Sequence, residues 1–141
     1  SGACAAIAAK QALGHGVRIV GVVSSHATTY ADSIAAGRVV ESAVTTQLAD
    51  GMACRVADQA ALDILAPHLD HLVQVSDAEV AAAMHALYTD THNAAEGAGA
   101  AALAAALQEK ERLAGQAVGV ALTGGNVDAA VFARVLGGAS C

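Results

Sequence analysis

The chain has 141 residues and a formal net charge of −6, and hydrophobic residues make up 55% of it while aromatic residues make up 2%. This length allows one domain, whose core must be built mainly from alanine, valine, leucine and isoleucine. The acidic balance argues against a nucleic-acid partner, because phosphate binding needs a basic face.

The first part of the chain alternates helical and strand-like patterns. Apolar residues at helical spacing predict a helix over residues 2–13, which Gly14 ends. The β-branched run 17–23 predicts a strand buried inside a parallel sheet. A helix over 27–36 follows, and segment 38–54 has no clear period, so we expect a structured loop there.

The second part of the chain continues the alternation. Asp58 is a helix cap, and Ser76 with Glu79 three residues later forms the capping-box pattern. Pro67 is expected to disturb the end of its helix. The predicted elements are a helix over 59–65, a strand over 71–75, a helix over 77–89, a helix over 94–112, a strand over 117–122 and a helix over 127–133.

This order predicts an α/β fold, in which an open and mainly parallel sheet lies between two layers of helices. Three strands make a thin sheet, yet 17–23 and 117–122 both have the composition of strands buried on both faces. We therefore expect residues 1–141 to form a single partial domain. The missing strands would come from an absent part of the chain or from a partner copy.

Cysteine usage and hydropathy indicate a cytoplasmic protein without a membrane segment. The 3 cysteines, Cys4, Cys54 and Cys141, are far apart and odd in number, so neither a disulfide framework nor a zinc site is expected. The histidines show no ligand spacing either, and no metal is predicted. The longest apolar run, around 98–107, is about half of the roughly twenty residues that a membrane span needs.

Polar residues follow the predicted strand 117–122 at its carboxyl end, where open α/β sheets bind ligands. Thr123 and Asn126 flank the glycine turn that begins at Gly124. They are candidate ligand-binding residues. The alternative is an ordinary strand-to-helix loop in which Asn126 or Asp128 caps the next helix.

Two further segments allow two interpretations each. Glu96 begins an otherwise apolar helix, where a carboxylate can cap the N-terminus or serve a site. Asp50-Gly51 is a turn signal inside a long loop of the kind that is often functional.

The run from Gly97 to Ala102 matches the G-x-G-x-x-A dinucleotide fingerprint, but no strand precedes it, so close packing or ligand approach is the better explanation of its glycines.

Three segments in this order and spacing resemble a known family: Thr46–Gly51, Glu96–Ala100 and Leu122–Asp128. They are similar to the C-terminal half of the catalytic domain of threonine and serine dehydratases. These are pyridoxal-phosphate enzymes of the tryptophan-synthase-β type, or fold type II, a group that includes serine racemase. The run Ser1-Gly2-Ala3 resembles the residues just after the family's tetraglycine loop.

The resemblance implies a set of cofactor-binding residues. Thr123 stands where the family places a hydroxyl or thiol that hydrogen-bonds the pyridine nitrogen of pyridoxal 5'-phosphate. Gly51 is expected close to the cofactor ring, and Glu96 on the same side near it. Gly124 and Asn126 are expected to shape the turn.

The resemblance also implies what this segment does not contribute. The family's Schiff-base lysine and phosphate-binding glycine loop lie upstream, and Lys10 and Lys110 fall in predicted helices without that context. We therefore expect no catalytic residue in this segment. The divalent-cation site of some relatives has carboxylates where this chain has Val23 and Thr29, so no metal of that kind is expected.

The implied function is β-elimination of threonine or serine to a 2-oxo acid and ammonia in the intact enzyme. This chain would supply the wall that faces the pyridine ring. A serine racemase-like activity, another fold type II reaction, or a non-catalytic α/β binding or assembly module are the alternatives. The expected partners are a small amino-acid substrate, the N-terminal part of the catalytic domain and further copies in a homo-oligomer.

Overall fold

The computed structural model describes residues 2–138, so Ser1 and Cys141 lie outside the described residues. In chain order, the elements are α1 (Gly2–Ala12), β1 (Val20–Ser24), α2 (Thr29–Ala36), a short 3-10 turn (Asp50–Met52), α3 (Gln59–His68), β2 (His71–Val75), α4 (Asp77–Thr91), α5 (Gly97–Gln108) and α6 (Ala129–Leu136). No helix within this range is both long and apolar enough to cross a bilayer.

The sheet pairs β1 with β2 in parallel, with Val22 opposite Val73 and Ser24 opposite Val75. The connection between the two strands passes through α2 and α3, because parallel neighbours need a crossover rather than a hairpin. The prediction of an α/β fold with a parallel sheet is confirmed. Both strands end at the same edge, so the residues after Ser24 and after Val75 lie together there.

The core lies between β2, α4 and α5. Val73 and Val75 point into a cluster with Val80 and Met84 of α4 and with the buried alanines of α5. Because α5 presents mainly alanine and glycine, it can approach the sheet and α4 closely. α6 is held to α4 by an edge-to-face contact between Tyr88 and Phe132, whose ring centroids are 5.3 Å apart.

Several local predictions are confirmed. Gly14 follows α1 with a φ of 59°, the left-handed conformation that glycine adopts readily. The side chain of Asp58 accepts a hydrogen bond from the Ala61 backbone at 2.8 Å and so caps α3. The capping box of Ser76 and Glu79 is complete at the start of α4. These features depend on residues close in sequence, which is why the pattern alone predicts them.

Several boundaries differ from the sequence prediction. α5 spans Gly97–Gln108 instead of 94–112, and Lys110 consequently lies in the turns after it. Its start is shortened because the Glu96 backbone N–H donates to the Gly124 carbonyl and the Ala94 carbonyl lies against Gly125. The other elements with shifted ends are α1, β1, α2, α3, α4 and α6.

The predicted strand over 117–122 is wrong for the described residues. The segment belongs to neither strand of the sheet and makes no backbone hydrogen bond to another part of residues 2–138. The side chains of Val118, Val120 and Leu122 are 47%, 43% and 42% exposed instead of buried. A strand forms only beside a partner, and no partner strand flanks this apolar segment here.

Candidate functional site

The three segments that resemble the dehydratase family meet at the N-terminus of α5. Leu48 and Ala49, in the loop before the 3-10 turn, lie against Gly97 in the first turn of the helix. On the other side, the Glu96 backbone N–H donates to the Gly124 carbonyl at 3.0 Å. Residues more than 70 positions apart in the chain are thereby brought to one surface, which we call the α5 wall: residues 46–51, 96–99 and 123–126.

Glycines make this approach sterically possible. A Cβ on Gly97 would overlap the carbonyl oxygen of Leu48, and a Cβ on Gly99 would overlap the carbonyl oxygen of Gly124. Both obstacles are backbone atoms, which cannot rotate aside as a flexible side chain does. The glycines of the G-x-G-x-x-A match therefore serve close packing of two loops on α5.

Glu96 lies at the centre of the α5 wall. Its backbone occupies the N-cap position of α5, yet its side chain makes no capping hydrogen bond. The carboxylate instead lies against Gly124, where a Cβ would overlap its Oε1 atom, and 3.8 Å from where a Cβ on Gly51 would stand. The structure therefore does not support the interpretation in which the Glu96 side chain caps α5.

Thr123 and Asn126 flank the same turn but make no contact that fixes their side chains. Both are exposed. Within residues 2–138, neither side chain has a hydrogen-bond partner, although Val127 closes the turn by donating its backbone N–H to the Gly125 carbonyl at 3.0 Å. The structure thus brings Gly51, Glu96 and Gly124 together. Thr123 and Asn126 lie beside them because they are close to Gly124 in the sequence, and no side-chain hydrogen bond within residues 2–138 holds them there.

Asp77 is a residue of this region that the sequence interpretation missed. The sequence predicts only that a helix begins at residue 77, but the buried Asp77 carboxylate accepts hydrogen bonds from the Thr46 hydroxyl at 2.6 Å and from the Gln47 backbone N–H at 2.7 Å. The signal that could have found it is its position directly after the capping Ser76, at the carboxyl end of β2. A second carboxyl-end residue, Ser24, is also buried.

The chemistry of the α5 wall is that of binding and orientation. It presents a carboxylate, an exposed hydroxyl and glycine backbone, which can hydrogen-bond and align a polar ligand. The described lysines Lys10 and Lys110 belong to α1 and to the turns after α5, outside the wall. Residues 2–138 contain no group of three or more His, Cys, Asp or Glu side chains placed to hold a metal ion.

Comparison with known proteins gives a consistent result. The model of the family described as "Pyridoxal-phosphate dependent enzyme" matches residues 1–124. An L-threonine ammonia-lyase of Geobacter sulfurreducens is 37% identical over 121 residues, which are 85% of this chain and 30% of that protein. A phenylserine dehydratase of Ralstonia pickettii is also 37% identical over 121 residues, 85% of this chain and 37% of that protein.

Solved structures match over the same region. A threonine deaminase from T.th. superposes with a TM-score of 0.82 at 30% identity, covering 89% of this chain and 46% of that one. A maize serine racemase has a TM-score of 0.82 at 25% identity, covering 96% of this chain and 42% of that one. The chain therefore spans about a third of the length of the two curated relatives and less than half of the two solved chains.

Proposed function

Because this chain belongs to the family of pyridoxal-phosphate dependent enzymes, we propose that it forms the cofactor-facing wall of an ammonia-lyase active site. The observation that carries the proposal is the convergence of Gly51, Glu96 and Gly124 at the N-terminus of α5. These are three of the residues that the resemblance assigns to the cofactor. The convergence supports one shared site because the three come from separate segments of the chain.

The residues present fit a planar pyridine ring. Glycine at position 124 lets the Glu96 carboxylate lie directly against the turn at residues 123–126, and glycine at position 51 lets its loop lie against Ala98, so the carboxylate stands beside both loops. The exposed Thr123 hydroxyl is a neutral partner for a ring nitrogen, and Asn126 would hold the shape of the turn. When bound, pyridoxal phosphate supplies an electron-withdrawing ring that stabilises negative charge on an amino-acid α-carbon.

In this proposal each residue of the α5 wall has a separate task. Thr123 would hold the ring by donating a hydrogen bond from its hydroxyl to the ring nitrogen, a neutral partner that would favour loss of a β-hydroxyl group over rival reactions. The Glu96 carboxyl group would lie beside the ring and orient it. Gly51 and Gly124 would let their loops pack against α5 and so hold the Glu96 carboxylate between them.

The proposed reaction is β-elimination of threonine or serine to a 2-oxo acid and ammonia. It is supported by similarity to the proteins named L-threonine ammonia-lyase and phenylserine dehydratase. We propose in addition that the N-terminal part of the catalytic domain and further copies of the chain complete the enzyme. A cytoplasmic location belongs to the same proposal and is supported by the scattered cysteines.

The test uses the full-length protein that contains this segment. Purified protein is supplied with pyridoxal phosphate and L-threonine or L-serine, and 2-oxobutyrate or pyruvate is measured. We expect Thr123→Ala to lower kcat/KM at least about tenfold and Thr123→Ser to stay within about threefold of the parent, since only the hydroxyl is required. Thr89→Ala, in an exposed residue of α4, is the matched control. Cofactor binding without 2-oxo acid formation would contradict the reaction.

A racemase is the second candidate, supported by the similarity to maize serine racemase over 96% of this chain. The same incubation separates the two activities. Chiral chromatography of the serine that remains detects D-serine if a proton is returned to the α-carbon on the opposite face. Formation of D-serine faster than pyruvate would favour the racemase, whereas full-length protein that takes up no cofactor would favour a non-catalytic binding module.

A further inference from the structure

Asp77 is a buried charged residue to which the proposed function gives no task. Only 9% of the residue is exposed, although it stands in the first turn of α4, where acidic residues are usually solvated. Ser76 and Glu79 complete the capping box without it. Its carboxylate therefore contributes to something other than the start of the helix.

Both oxygens of Asp77 are used by the loop that leads to Gly51. Oδ1 accepts from the Thr46 hydroxyl at 2.6 Å, and Oδ2 accepts from the Gln47 backbone N–H at 2.7 Å. A titratable side chain from the turn after β1 also faces it: the Nδ1 atom of His26 is 3.8 Å from Oδ1. A carboxylate suits this place because it accepts two hydrogen bonds and donates none.

Thr46 connects Asp77 to the rest of the loop by hydrogen bonds. Its Oγ1 atom, while donating to Asp77, accepts from the Ala49 backbone N–H at 3.0 Å. The Ala49 carbonyl in turn accepts from the Met52 backbone N–H at 2.9 Å, which closes the 3-10 turn that contains Gly51. A continuous hydrogen-bonded path therefore runs from Asp77 to the turn.

The same loop is held from its other side by α5. The Leu48 backbone lies against Gly97, and a Cβ on Gly51 would stand 2.8 Å from the Ala98 Cβ. Packing of this kind limits how near the loop can come to α5 but supplies no directional bond. The loop's direction is set by the two hydrogen bonds to Asp77, together with the one that the Thr45 backbone N–H, just before the loop, donates to the His26 carbonyl at 2.8 Å.

We propose that Asp77 is a positioning residue, which fixes the loop 46–51 so that Gly51 faces the cofactor side of the α5 wall. This inference rests on the proposed function, because a fixed position of Gly51 matters for binding only if Gly51 faces the cofactor ring. Asp77 acts through Thr46 and the loop backbone and itself touches no reacting atom.

The first measurement is backbone hydrogen exchange of the full-length protein without cofactor. In Asp77→Asn, the amide group places a donor opposite either the Gln47 N–H or the Thr46 hydroxyl. We expect exchange across residues 47–52 to become at least about tenfold faster. The matched control is Glu79→Gln, which also removes a carboxylate from the first turn of α4 but does not contact the loop, and which should leave that exchange unchanged.

The second measurement is the dissociation constant of pyridoxal phosphate, obtained by titration of its absorbance. We expect Asp77→Asn and Thr46→Val to raise it at least about fivefold relative to the parent, and Thr46→Ser to restore binding because it keeps the hydroxyl. The Thr46 pair keeps the test decisive if Asp77→Asn does not fold. Glu79→Gln should bind the cofactor as the parent does.

The outcomes separate this inference from the proposed function. If the parent binds pyridoxal phosphate and Asp77→Asn binds it equally well, Asp77 is not a positioning residue and the proposed function stands. Unchanged loop exchange in Asp77→Asn, or equal weakening of cofactor binding by Glu79→Gln, overturns the inference in the same way. A parent protein that takes up no cofactor overturns both.

Discussion

Single glycines decide whether the loops of the α5 wall can pack on α5. Gly97 stands in the first turn of the helix, where alanine would ordinarily be favoured by up to about 1 kcal/mol. Here a Cβ would overlap the Leu48 carbonyl oxygen. The steric term is larger than the helical preference because the obstacle is backbone and the neighbouring Ala49 is fully buried.

We therefore expect Gly97→Ala to lower the free energy of unfolding by about 1–3 kcal/mol, measured by urea denaturation of the full-length protein. Gly16→Ala is the control, since a Cβ there meets nothing within 4 Å and the residue lacks a positive φ. It should change the free energy of unfolding by less than about 1 kcal/mol, and in the stabilising direction. Equal destabilisation by both substitutions would contradict the close approach of residue 48 to α5.

At the scale of elements, α4 depends on its capping box and on a contact with α5. The Glu79 carboxylate accepts from the Ser76 backbone N–H and from the Ser76 hydroxyl, both at 2.7 Å, and from the Gln108 side chain at 2.9 Å. The Ser76 backbone N–H contributes most to holding the pKa of Glu79 below its ordinary value of 4.5, and burial opposes it. The ionised form is therefore favoured in the folded protein.

This lowered pKa predicts an acid-dependent loss of stability. The contribution of Glu79 is complete above its unfolded pKa of about 4.5 and is lost as the pH falls through the lower folded value. Glu79→Gln should therefore be less stable than the parent near neutral pH and should lose less stability on acidification. Urea denaturation at several pH values from about 7 to about 3 measures both effects.

Glu111→Gln is the control for this series, because the Glu111 side chain is exposed and has no hydrogen bond within residues 2–138. It should retain the pH dependence of the parent. If Glu79→Gln lost stability on acidification as steeply as the parent does, the capping carboxylate would not be a source of the acid sensitivity.

Across the whole molecule, the described residues leave an apolar segment without a partner. Segment 117–122 has the composition of a buried strand, yet Val118, Val120 and Leu122 are each more than 40% exposed. The chain covers 46% of the solved threonine deaminase that it resembles. We propose that a strand from outside residues 2–138 pairs with this segment in the full-length protein and buries it.

Val120→Asp tests this pairing in the full-length protein. If the segment is buried, the substitution places a carboxylate in an apolar interior and should lower the free energy of unfolding by at least about 2 kcal/mol. Ala114→Asp, in the exposed turn before the segment, should have an effect within about 0.5 kcal/mol. Urea denaturation measures both, and equal small effects would indicate that segment 117–122 stays in solvent.

Local sequence determined the features that need only neighbouring residues. The cap at Asp58 and the capping box at Ser76 and Glu79 follow from side chains within four positions of the backbone that they serve, and the glycine after α1 follows from the conformation that its own lack of a side chain allows. The β-branched run 17–23 and the alternating pattern over 71–75 also predicted both paired strands, although β1 begins at Val20 rather than at residue 17. The resemblance of three short segments to one family was likewise present in the sequence alone.

Tertiary structure decided which of those segments meet and how. Three contacts depend on residues more than 20 positions apart. Two loop backbones pack against Gly97 and Gly99, and the Glu96 side chain lies against Gly124 instead of capping α5. Asp77 anchors its loop at Thr46. The same holds for 117–122, whose sequence favours a strand but which has no partner in residues 2–138. Sequence patterns report the preference of a segment, whereas hydrogen bonds and burial depend on what the fold places beside it.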